Sequence, residues 1–88
     1  MAKKLPKNQL SEDRNYLTSD LGAAASLITK GFKLISLEKS NPRKVQFIFQ
    51  ETADIKKVIE EYWSNKLELE ARAFFDNIKM LKNRIYSE

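Results

Sequence analysis

The chain has 88 residues with a net charge of +4, is 42% hydrophobic and 32% charged, and has only two glycines and two prolines, a composition that describes one globular domain rich in secondary structure. A domain of this size buries roughly 60–65% of the surface its unfolded chain exposes, enough for one compact core but not for a deep catalytic cleft. Cysteine and histidine are both absent, which excludes a disulfide framework, a thiol nucleophile and the usual zinc or copper ligands, so no cofactor or metal is expected.

Residues 1–13 are polar, carry Lys3, Lys4 and Lys7, and show no periodicity; they read as a flexible basic tail before a single domain over 14–88. The opening "MAKKLPKNQLSEDR" lacks the apolar run of a signal peptide, and no window reaches the roughly 20 apolar residues of a membrane span. The expectation is a soluble cytoplasmic protein with no membrane partner.

"NYLTS" at 15–19 alternates apolar and polar residues and predicts a short strand. Ser19 and Asp20 then offer a helix cap. The helix runs over 20–31, with Leu21, Ala24, Ala25 and Ile28 at helical spacing. Gly31 sits where a left-handed residue would end it. The run of alanines lets this helix lie close on a neighbour, and Gly22 suggests that another backbone approaches there.

"FKLISLEKSNPRKVQFIFQE" at 32–51 predicts a hairpin whose arms are rich in Ile, Val, Leu and Phe, with Asn41-Pro42 as the turn signal. Pairing Lys39 with Lys44 around a four-residue loop sets the register. Phe32, Leu34, Val45, Phe47 and Phe49 then share one face. Ile35, Leu37 and Ile48 share the other.

The next segment, 51–66, predicts an amphipathic helix capped by Glu51 or Thr52, with Ile55, Val58, Ile59, Tyr62 and Trp63 forming one stripe. Ser64-Asn65 breaks it, and "LELE" at 67–70 reads as an extended connector or edge strand. The last helix, 70–86, repeats Ala71, Phe74, Ile78, Leu81 and Ile85, with Phe75 widening the stripe and Arg72, Lys79, Lys82 and Arg84 outside it. The order strand-helix-strand-strand-helix-helix is α+β: a small antiparallel sheet packed on helices.

Aromatics beside cations in "RKVQFIF" raise the question of a base-stacking strand. Strand parity assigns Phe47 and Phe49 to the core instead, since they share the most apolar face in the chain. The hairpin tip is the stronger candidate, gathering Lys39, Ser40, Asn41, Arg43 and Lys44 on an exposed loop that can grip phosphates. On the last helix, Arg72, Lys79 and Lys82 can form a second phosphate-contacting stripe. In each case the plainer reading is a solvated surface. Glu60 and Glu61 point apart on their helix, and Glu68 and Glu70 have no histidine or phosphate loop beside them, so an enzyme is not expected. Tyr62 and Trp63 read as closing the core, with an interaction patch as the alternative.

The pattern "YLTSDL", "GFKL", "SNPRKV" and "ARAFF…LK" over residues 15–86 resembles a small domain family of unknown function found in bacteria and their phages or mobile elements. The resemblance implies a compact module in such a setting. It assigns no activity and no catalytic residues, and the lysine-rich tail lies outside it.

These features give two expectations. The first is a non-catalytic module that binds nucleic acid through Lys39, Asn41, Arg43, Lys44, Arg72, Lys79 and Lys82, together with the tail. The second is a phage or mobile-element factor that binds and inhibits a host protein through its acidic 51–70 helix or an exposed apolar edge. Self-association into a homodimer through the last helix is a third option.

Overall fold

Among the described residues the alternating segments form three strands and the periodic ones three helices. In chain order they are β1 (Asn15–Thr18), α1 (Leu21–Thr29), β2 (Leu34–Glu38), β3 (Gln46–Gln50), α2 (Ile55–Trp63) and α3 (Ala71–Tyr86). The computed structural model describes residues 14–41 and 43–87. The expected tail over 1–13, with its three lysines, lies outside the described residues, as does Pro42. The fold is α+β. β3 is the central strand and pairs antiparallel with β1 on one side and β2 on the other. β1 and β2 therefore run parallel with β3 between them, so that β1-α1-β2 is a split βαβ unit.

Local chemistry sets the helix ends. Asp20 caps α1: its Oδ1 accepts from Ala23 N at 2.7 Å. At the other end Gly31 adopts φ 102°. Phe32 N donates to Leu27 O and Gly31 N to Ile28 O, both at 2.9 Å, the pair of bonds that defines a Schellman stop. Asn65 repeats the device after α2, with φ 65° and Lys66 N donating to Glu61 O at 2.9 Å. α2 is shorter than the 51–66 helix the sequence suggests: its N-cap is Asp54, with no side-chain cap bond, and Glu51 lies just past the end of the sheet strand. Its N–H donates to Arg14 O at 3.1 Å, extending the β1–β3 ladder past Gln50. "LELE" is the connector of its two readings: Leu67 and Leu69 are half-buried in irregular backbone.

Phe47 and Phe49 are buried together with Ala23, Ala24, Ala25, Leu27, Ile55, Ile59 and Leu81. α1 lies at the centre of the molecule and touches β1, α2 and α3, and its alanines permit that approach. The neighbour that demands Gly22 is a side chain rather than a backbone. A Cβ there would overlap the Tyr62 hydroxyl, which donates to Asp20 Oδ1 at 3.0 Å. The sheet face away from the helices stays open, with Leu17 and Ile35 at 46% and 50% exposure.

The hairpin register differs from the Lys39–Lys44 pairing. Near the tip the partners are Glu38↔Gln46, Leu37↔Phe47 and Ser36↔Ile48, and the register slips before Leu34↔Phe49. Ile35 is the extra residue of a β-bulge. The bulge turns Leu37 onto the core face, where it packs with Leu34 on the buried cluster; simple alternation had placed Leu37 on the open face and Ser36 toward the core. Burying the leucine in place of the serine is the physical reason for the slip.

Candidate functional site

The hairpin tip is held by its own polar groups. Lys44 N donates to Asn41 O at 3.0 Å, and Arg43 N donates to Asn41 Oδ1 at 3.0 Å, an Asx turn. Asn41 thus shapes the loop that presents Arg43 and Lys44, both exposed. Ser40 N donates to Glu38 Oε2 at 3.1 Å, and hydrogen bonding from Ser40 holds the Glu38 carboxyl below its ordinary range.

Lys39 is different. Its Nζ donates to Arg84 O at 2.9 Å and Ile85 O at 3.1 Å. An α-helix leaves its last carbonyls without intrahelical partners and carries partial negative charge at that end. Lys39 satisfies both needs from a hairpin more than forty residues away in sequence. The clamp ties the hairpin, close to the tip that carries Arg43 and Lys44, to the last turn of α3, which carries Arg84. Between β2 and the end of α3 lies a shallow cavity of about 260 Å³, lined by Ser36, Leu37, Lys39, Arg84 and Ser87.

The remaining expected residues lie along the outer side of α3. Arg72 Nε is 3.9 Å from Asp76 Oδ2, both groups well exposed. The ammonium of Lys79 lies 5.3 Å from the centroid of the Phe75 ring, within cation–π range. Lys82 is exposed. Arg72 lies ten residues before Lys82, about 15 Å along the helix axis, so it does not join the hairpin end.

Three aromatics stand out into solvent. Phe75 is 57% exposed and Tyr86 80%, whereas the sequence pattern placed Phe75 at the margin of the buried stripe. The signal that finds it is helical phase: Phe75 is one turn from Lys79 and three turns from Tyr86, so it shares the cationic face. Trp63, read from its spacing as core closure, is 60% exposed and meets Tyr62 edge-on at 4.8 Å between ring centroids. Tyr62 itself is half-buried, and burial followed by its bond to Asp20 pushes its phenol above the ordinary value.

Among the described residues no cluster of three or more Asp, Glu, His or Cys side chains converges as a metal site would require. No helix there is long and apolar enough to cross a membrane. Comparison with curated proteins and with solved structures finds no match. The match that exists is to a family model that spans nearly the whole chain, residues 13–87, and by it the protein belongs to DUF5659, a domain family of unknown function.

Proposed function

We propose that this domain is a non-catalytic nucleic-acid-binding module that grips the phosphate backbone where the hairpin meets the end of α3. The observation that carries this reading is the Lys39 clamp on the Arg84 and Ile85 carbonyls. Left alone, a helix C-terminus repels phosphate. With an ammonium seated on its carbonyls, that end would offer the exposed Arg43, Lys44, Lys82 and Arg84 as donors, and Ser36 and Ser87 line the cavity that Lys39 and Arg84 share. Cations and hydroxyls of this kind position a backbone without reading sequence. A cytoplasmic setting, in a phage or mobile element as the sequence resemblance implies, would bring such a module into contact with nucleic acid. Mobility shift on DNA and RNA at low salt tests the reading. A shifted band that weakens steeply with salt, and that Arg43→Glu with Lys44→Glu abolishes, is expected. No shift, or a shift indifferent to those charge reversals, overturns it.

Trp63 favours a second reading, a module that binds a host protein. An exposed tryptophan at the end of α2, beside Glu60 and Glu61, has the character of an interface anchor. Capture of a host protein that survives nuclease treatment and is lost in Trp63→Ala would support this reading over the first.

A further inference from the structure

We propose that the outer face of α3 is a stacking platform for unpaired bases, so that the nucleic acid bound is single-stranded. This rests on the phosphate-binding reading above and adds what that reading lacks, a contact to the bases. Phe75, Lys79, Lys82 and Tyr86 recur at one-turn intervals along a single face of α3. That face lies about 100° round the helix from the stripe of Phe74, Ile78, Leu81 and Ile85, which packs on the core. Both rings are largely in solvent, and the Lys79 ammonium sits against the Phe75 ring. The nearby carboxylate on this face, Asp76, is engaged by Arg72.

Charge decides what covers this face. A second copy laid along it would bring lysine against lysine, whereas a polyanion neutralises them. A duplex keeps its bases stacked inside and offers these rings little. A single strand presents ring faces that any aromatic can meet, and groove cations with interspersed aromatics are the recurrent means of holding one. Phe75 and Tyr86 are eleven residues apart in α3, about 16 Å along the axis, far enough to meet separate bases of one strand. The strand would then run from Phe75 past Tyr86 toward the cationic end where Lys39 joins hairpin and helix.

Fluorescence anisotropy with a labelled thymidine strand of about fifteen nucleotides, the matching abasic strand and the matching duplex separates the possibilities. The thymidine strand is expected to bind about tenfold or more tightly than the abasic strand. Phe75→Ala and Tyr86→Ala should each remove most of that advantage, with unchanged affinity for the abasic strand and unchanged thermal unfolding. Equal affinity for the thymidine and abasic strands, both lost on Arg43→Glu with Lys44→Glu, overturns the stacking platform and leaves the phosphate reading standing. Preference for the duplex also overturns it. Absence of binding to all three probes overturns both readings. A dimer in sedimentation that Phe75→Ala dissociates assigns the face to a second copy and overturns the platform.

Discussion

β3 and α3 both set aromatic rings near cations, with opposite outcomes. In β3, Phe47 and Phe49 follow Arg43 and Lys44 closely in sequence, yet both rings are buried. In α3, Phe75 and Tyr86 bracket Lys79 and Lys82, and both rings face solvent. The strand is central in its sheet and roofed by helices, so its alternate residues must fill the core. The helix buries one stripe and leaves the rest of its circumference outside. Composition alone therefore does not make a nucleic-acid surface: the aromatic must also lie on the side of its element that the core does not use.

The largest test of this contrast is stability. Phe47→Ala should cost about 3–5 kcal/mol in urea unfolding, whereas Phe75→Ala should stay within about 0.5 kcal/mol of the parent. Comparable losses would erase the distinction between the two regions. Gly22→Ala probes the buried side further, since the added methyl would overlap the Tyr62 hydroxyl. A loss of about 1–3 kcal/mol is expected, and Tyr62→Phe in the same chain should recover part of it, a coupling that a double-mutant cycle measures.

Lys39→Met probes the join between the two regions. It should cost about 1 kcal/mol and speed amide exchange in the last turn of α3, leaving α1 protected. Uniform exchange across both helices would show that Lys39 does not act locally as a cap. The smallest effect concerns pH. Burial is the leading cause that raises the phenols of Tyr16 and Tyr62 above 10.0, with nearby Glu51 adding for Tyr16 and Asp20 for Tyr62. The unfolded chain ionises first, so this contribution is present below about pH 10 and is lost as pH rises through the folded values. Tyr62→Phe should flatten that alkaline decline in thermal melts, and an unchanged decline would refute the assignment.

Much of the fold is legible in the residues because it rests on local chemistry. The Asp20 cap, the Gly31 stop, the three strands and the burial of Phe47 and Phe49 follow from periodicity and capping alone. The β-bulge does not, because alternation in β2 cannot say where an extra residue will be absorbed; only the need to bury Leu37 opposite the helices decides it. Lys39 looks like any tip lysine until α3 arrives from the far end of the chain. Trp63 fits its apolar stripe by spacing, yet it falls on the last residue of α2, where the core has ended. Arg43, Lys44 and Lys82 are visible in the sequence as exposed cations, whereas the tie between the hairpin and the end of α3 depends on the Lys39 clamp.

The most direct test of the central claim is a salt titration of the wild-type domain against a single-stranded oligonucleotide, read by fluorescence anisotropy. With several phosphates neutralised at the joined end of hairpin and helix, log affinity should fall linearly with log salt, with a slope of about −0.7 per phosphate contacted. Arg43→Glu with Lys44→Glu should abolish that binding. Undetectable binding at the lowest salt, or an affinity that does not change with salt, would contradict the account.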